Sequence, residues 1–323
     1  MLVILNWFRD YRGLRFLCGC FGGRTFCLWR GYMYNRFVEK MIHFSPEKAI
    51  TSYGVFWRKL LSPILRNVAP LTAKRKIIVL HKEELPKQPV IFASTHGFKD
   101  DAVTAIGIVD RQVYVLNGSV RQMTYTADGI SMWAIGTIMV DRKNKESRAL
   151  SKDKMVRALQ FGTSVLIYPE GTWNKSPNDL MNKLFPGVYD IAKTTGALVV
   201  PLASVIVGDT IYAKRGKPFN IAQYDRKEGV NTLRDIMATL RYEIIEEKST
   251  DLRDNLPKNE KTDEYWKNEI DGLMAEVEFY DYEEELNTMF IDKNITEYSV
   301  AFAHLQNIPI NHNTAFLFNK RLI

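Results

Sequence analysis

Cysteine is scarce in this chain. Three residues, Cys18, Cys20 and Cys27, stand among 323, all within the first thirty. An odd, crowded set with no histidine close by gives neither a disulfide framework nor a metal site of usual spacing. A reducing, cytoplasmic setting is expected, with no metal. Long apolar runs are also missing. No stretch reaches about 18 uninterrupted apolar residues, the length a membrane-crossing helix needs. The apolar start at residues 1–8 has no basic segment before it and no small-residue cleavage site after it, so it is not read as a signal peptide. Met33 is a second candidate initiator. The chain has no Gly-x-Ser-x-Gly elbow, no phosphate-cradling Gly-x-x-x-x-Gly-Lys-Ser/Thr loop and no dinucleotide fingerprint, which counts against serine hydrolases, P-loop enzymes and Rossmann dehydrogenases. No nucleic-acid module is recognised, and no nucleic-acid partner is expected.

What remains is an ordinary globular composition, 46% hydrophobic and 25% charged, with an uneven charge distribution. Residues 1–76 carry 14 Lys and Arg against 3 Asp and Glu, whereas residues 225–323 carry 12 against 21. Three regions follow: a basic amphipathic segment at 1–76, a body at 77–224 and an acidic helical extension at 225–323. A basic, aromatic-rich leader suits an anionic surface. Within it, residues 46–68 interleave Phe56, Trp57, Leu60, Leu61 and Ile64 with Lys48, Arg58, Lys59 and Arg66. Such a pattern builds either a helix lying in the plane of a membrane or an amphipathic helix packed on its own core.

In the body, apolar strands alternate with helices. Strands are expected at 77–80, 90–94, 112–116, 137–140, 164–168, 198–201 and 203–207. Helices are expected at 102–109, 146–160 and 188–195, the last ending at Gly196, and a long one at 230–247. This alternation predicts an α/β fold with a mostly parallel central sheet flanked by helices. An N-terminal amphipathic helical segment and a C-terminal helical tail complete the expectation. In such sheets ligands bind outside the carboxyl ends of the strands.

The run Val90–Ala93 leads into Thr95-His96-Gly97-Phe98-Lys99-Asp100-Asp101. Histidine titrates near neutrality and can accept a proton at working pH. It does so best when a carboxylate holds one ring nitrogen and leaves the other open. On one regular helix, residues five apart point about 140° away from each other. His96 and Asp101 therefore meet only if the histidine sits in the turn and the aspartate in the first turn of the next helix. The plain alternative is a surface turn in which Asp100 or Asp101 merely caps a helix.

Three more stretches belong with it: Gly136…Asp141-Arg142, Tyr168-Pro169-Glu170-Gly171-Thr172-Trp173 and Val199-Val200-Pro201. In this order the set resembles the glycerolipid acyltransferases typified by lysophosphatidic acid acyltransferase. Their blocks run His-x4-Asp, Gly-x4-Asp-Arg, Phe-Pro-Glu-Gly-Thr-Arg and a Val-x-Pro-like strand. The resemblance spans roughly residues 75–222. It implies acyl transfer from acyl-CoA or acyl-carrier protein to a hydroxyl of a lysophospholipid or glycerol-phosphate acceptor, with no cofactor. By the same resemblance His96 is the general base, Asp101 rather than Asp100 orients it, and Arg142 contacts the acceptor phosphate. Glu170, Gly171 and Thr172 would shape the acceptor site, the amides of Gly171 and Thr172 serving as oxyanion donors. The protein would then work as a peripheral protein on the inner face of the membrane, touching its lipid surface. Two positions depart from the pattern. Tyr168 replaces Phe, and Trp173 replaces an Arg whose charge an indole cannot supply. Trp173 carries the alternative of a glycolipid or other phosphate-free acceptor; a non-catalytic lipid-binding protein, which would keep the fold and the basic leader and need neither His96 nor Asp101, is the other alternative.

Overall fold

Strand β2 (Ile91–Ser94) is buried along its whole length and sits near the centre of the sheet. Its side chains alternate between two cores. Ile91 and Ala93 face a cluster with Val165, Ile167, Met155, Ile191 and Leu233, whereas Phe92 faces Leu166, Val200, Leu202, Ala105 and Ile106. Burial on both faces is why these strands read as continuous apolar runs rather than alternating ones. The computed structural model describes residues 40–98, 100–118, 133–174 and 180–248, and Asn268. The expected features at 1–39 and 249–323, as well as Lys99, lie outside the described residues.

Seven strands form one sheet in the order β1-β7-β6-β2-β5-β3-β4. The others are β1 (Lys76–Lys82), β3 (Val113–Asn117), β4 (Thr137–Met139), β5 (Ser164–Ile167), β6 (Val199–Val207) and β7 (Thr210–Arg215). The pairs β6/β2, β2/β5, β5/β3 and β3/β4 are all parallel. β7 runs antiparallel to β6, and β1 is parallel to β7, so one edge of the sheet is reversed. The helices are α1 (Pro46–Ala49), α2 (Ser52–Val68), α3 (Asp101–Ile108), α4 (Lys145–Gln160), α5 (Gly187–Thr195) and α6 (Arg226–Lys248). The fold is α/β with a mostly parallel sheet, as the alternation predicts.

Two expectations need correction. The strands read separately at 198–201 and 203–207 are one, running straight through Pro201. A proline normally removes a ladder bond from a central strand. Here the Pro201 carbonyl accepts from Gly216 N–H at 2.9 Å, just past the end of β7. Its nitrogen faces the same way, so the bond that an N–H would return to Gly216 is given up, and the pairing resumes where Val199 and Phe219 exchange N–H···O bonds at 2.9 and 2.7 Å. The second correction is β7 itself, which the sequence reading left without an element. It follows a tight turn in which Gly208 takes a φ of 57°, a conformation glycine adopts without steric cost.

α2 does not run alongside the sheet but crosses beneath it. Arg58 donates to the Trp133 carbonyl (3.3 Å), just before β4, and Arg66 reaches Asp110, just before β3, at 4.0 Å. Both contacts lie at the amino ends of the parallel strands. Val55 is buried in the core below the sheet, whereas Tyr53, Phe56, Leu60 and Ile64 are exposed. The helix thus has one seated face and one bare apolar face. Upstream, Lys154 of α4 donates to the carbonyls of Met41 and Ile42 (3.1 and 2.9 Å), fastening the preceding segment to the domain.

Candidate active site

His96 follows β2 at the carboxyl pole of the sheet, and its backbone is fixed from several sides. Thr95 N–H donates to Leu202 O (3.1 Å) and Ser204 N–H donates to Thr95 Oγ1 (3.1 Å), which ties the end of β2 to β6. The His96 carbonyl accepts from Asn174 N–H at 2.7 Å, and its own N–H donates to Glu170 Oε1 at 3.0 Å. The loop after β5 therefore grips the histidine at both backbone groups.

The chain turns at Gly97, and α3 begins at Asp101. That geometry brings the two residues together: His96 Nδ1 lies 2.7 Å from Asp101 Oδ2. The same oxygen accepts from the amides of Gly97 (3.0 Å) and Phe98 (3.4 Å). Asp101 is 2% exposed, so this carboxylate is held wholly by protein. An ionised carboxylate only accepts hydrogen bonds. In the neutral imidazole this contact places the proton on Nδ1 and leaves the Nε2 lone pair open. Asp100 points elsewhere, its Oδ2 accepting from Lys74 N–H at 3.0 Å, which is an anchor for the segment leading into β1.

An aromatic wall faces the imidazole. Tyr168 stacks on it at 4.4 Å between ring centroids and 29° between planes, and Trp173 meets it edge-on at 5.9 Å and 84°. The Tyr168 hydroxyl is buried and has no hydrogen-bond partner among the described residues. Burial, and then the Asp101 charge, hold that phenol well above its ordinary value.

Glu170 shapes the site from behind. Its carboxylate is 1% exposed, with Oε1 on His96 N–H and Oε2 on Asn182 N–H (2.9 Å). Burial pushes its carboxyl up to about 7 against the pull of the Arg241 charge and of the two amides. Arg142, after β4, donates to the Gly171 carbonyl, which draws the Asp-Arg block onto the Glu-Gly-Thr block. Gly171 has a φ of 72°, and a Cβ there would collide with the Phe185 ring, so both conformation and space demand glycine. One expectation fails. Gly171 N–H is not available to an oxyanion, because it closes the turn onto the Tyr168 carbonyl at 3.0 Å. Thr172 is buried beside it.

Sequence reasoning missed the Tyr168–His96 stack and the Asn182–Glu170–His96 chain. The first had a signal in the motif itself, an aromatic directly after a strand neighbouring β2. The second had none, since Asn182 acts only through its backbone. Among the described residues, no group of three His, Cys, Asp or Glu could hold a metal ion.

Comparisons with known proteins bear on this geometry. Residues 76–205 match the family model described as Acyltransferase. Over 162 residues the chain is 24% identical to a protein of Mycoplasma pneumoniae named probable 1-acyl-sn-glycerol-3-phosphate acyltransferase. The aligned part is 48% of this chain and 58% of that relative, so the match spans little more than half the relative's length. Among solved structures, the 1-acyl-sn-glycerophosphate (LPA) acyltransferase PlsC of Thermotoga maritima aligns with a TM-score of 0.47 and 14% identity, over 66% of this chain and 97% of that one.

Proposed function

We propose that this chain, whose residues 76–205 match the family model described as Acyltransferase, moves a fatty acyl group from a thioester to the hydroxyl of a lysophospholipid or glycerol-phosphate acceptor. The acyl transfer, the donor, the acceptor and the residue roles are our reading. The observation that carries it is the 2.7 Å contact between His96 Nδ1 and Asp101 Oδ2, which leaves Nε2 open beside the aromatic wall.

The steps follow from that geometry. The acceptor O–H gives its proton to Nε2 as the oxygen attacks the thioester carbonyl. Asp101 stabilises the imidazolium that forms and fixes its tautomer. The tetrahedral intermediate collapses, the C–S bond breaks, and the proton on Nε2 passes to the departing sulfur. The products are an ester and a free thiol. A thioester is already activated, so the sequence of steps calls for no cofactor. Acyl-CoA and acyl-carrier protein are the two donors of this chemistry. Arg142 is the residue we assign to an acceptor phosphate.

A second acceptor class has its own support. Trp173 stands edge-on to His96 where the family pattern carries Arg. An indole at that distance stacks on a sugar ring or an acyl chain rather than binding a phosphate. We also propose that the enzyme works at a lipid surface. No helix among the described residues is long and apolar enough to cross a membrane, and the bare apolar face of α2 supports peripheral contact.

The test is transfer from radiolabelled acyl-CoA and acyl-carrier protein into lysophosphatidic acid, other lysophospholipids and a glycolipid. His96→Ala should lower turnover about 10²–10⁴-fold, the usual worth of a positioned general base. Near-normal turnover by that variant would overturn the mechanism.

A further inference from the structure

The hydroxyl of Tyr168 does nothing to hold its ring. It is buried without a partner among the described residues, and a buried hydroxyl that makes no hydrogen bond costs stability. The backbone places the ring instead. Ala93 of β2 stands opposite Ile167, the last residue of β5, so Tyr168 leaves the sheet beside the strand that leads to His96. Its carbonyl accepts from Gly171 N–H at 3.0 Å, and the Pro169 carbonyl accepts from Phe185 N–H at 2.7 Å. The side chain packs against the cluster that holds Phe92, Leu166 and Leu202. From there its ring lies over the imidazole, with 4.4 Å between centroids and 29° between planes.

A ring so placed meets the charge that His96 gains during the reaction. The imidazole becomes a cation when the acceptor proton reaches Nε2. Asp101 Oδ2 meets that cation at the ring edge, 2.7 Å from Nδ1, and Tyr168 meets it at the ring face. The face of an aromatic ring is negative, and a cation over it within about 6 Å of the centroid is attracted. The attraction grows where water is kept away, and the side chains of His96 and Asp101 are only 23% and 2% exposed. Burial and the Asp101 charge keep the phenol protonated, so the ring adds no negative charge of its own. An interaction that exists only once the proton has moved favours the transition state over the bound substrate.

Resting on the general-base reading of His96, we propose that Tyr168 is a positioning residue of the transfer reaction, whose π face stabilises the imidazolium while the backbone turn holds the two rings in register. The role belongs to the ring and not to the hydroxyl. The family pattern carries Phe at this place, and a neutral aromatic face of either kind serves, so the change to Tyr is silent for the chemistry.

The experiment places Phe, then mono-, di- and trifluorinated phenylalanine, at position 168 of the full chain, beside Tyr168→Leu and the blank His96→Ala. Fluorine draws electron density from the ring face while nearly keeping its shape, so packing is held constant as the π attraction fades. Single-turnover transfer from radiolabelled acyl-CoA to lysophosphatidic acid is measured for each. Tyr168→Phe should react within about two-fold of the parent and unfold at no lower temperature. The rate should then fall with each added fluorine, ending about 2–30-fold below Phe, the range a cation–π contact commands. Tyr168→Leu should fall at least as far. A flat series overturns the proposal, and with a slow Tyr168→Leu it makes the ring a packing piece alone. A large loss in Tyr168→Phe also overturns it, since the hydroxyl would then carry the role. A flat series beside an inactive His96→Ala leaves the general base standing. Near-normal transfer by His96→Ala, or none by the parent, removes the base and this proposal together.

Discussion

Glu170 holds His96 by its main chain and not by its ring: Oε1 accepts the His96 N–H at 3.0 Å, while Oε2 accepts the Asn182 N–H at 2.9 Å. A carboxylate so placed sets the height of the histidine above β2. It also makes stability depend on pH. The folded carboxyl titrates at about 7 because it is buried, against an ordinary value of 4.5. Between those values the folded chain keeps a proton that the unfolded chain has released. Stability from this group therefore falls as pH rises from about 4.5 to 7, and the full penalty is present above 7. Linkage puts the swing at about 3 kcal/mol. Glu170→Gln should remove it, so the difference in denaturant midpoint between variant and parent should change sharply between pH 5 and pH 8. A constant difference across that range would refute this account.

The two adjacent aspartates should separate cleanly. Asp101→Asn replaces an acceptor that serves Nδ1 and two amides, and it allows the imidazole the wrong tautomer. We expect turnover to fall about 10²–10⁴-fold, beside a stability cost of at least about 1–3 kcal/mol from the amides that Asp101 serves. Asp100→Asn removes a charged acceptor from the Lys74 amide. It should cost about 1–3 kcal/mol of stability and leave turnover within a few-fold of the parent. Measurements of kcat on folded protein decide the matter, and the opposite pattern would assign the base's partner to Asp100.

Trp173 is the position at which acceptor choice should be switchable. Trp173→Arg restores a guanidinium fork suited to phosphate. A hydrogen bond to a charged group is worth about 1.5–3 kcal/mol. The ratio of kcat/KM for lysophosphatidic acid over a glycolipid should therefore rise at least about ten-fold. An unchanged ratio would mean that Arg142 alone governs the phosphate.

Much of this was legible because it is local. The His96–Asp101 pairing follows from a strand, a glycine turn and a helix start within a dozen residues. The helix ending at Gly196, with its φ of 70°, is equally local. What escaped depends on distant partners. β7 alternates half-buried and buried residues, but the buried set includes Arg215, whose charge breaks the apolar pattern and is paired with Asp110. Pro201 read as a strand end because the pairing that carries β6 past it, Gly216 and Phe219, comes from beyond β7. α2 showed its amphipathic face in the sequence, but not that it would lie beneath the sheet, which Asp110 and Trp133 decide from across the fold.

The reversed edge of the sheet carries a consequence for synthesis on the ribosome. β1 is an edge strand whose one neighbour is β7, with Lys76 opposite Thr210 and Lys82 opposite Arg215. The first strand made thus waits for the last. At roughly 5–20 residues per second, its partner emerges about 7–27 s later. Through that interval Ile77, Ile78, Val79 and Leu80 are an unpaired hydrophobic ribbon on a growing chain. Nascent-chain aggregation and chaperone capture should therefore centre on β1, and should end when the hairpin of β6 and β7 clears the exit tunnel.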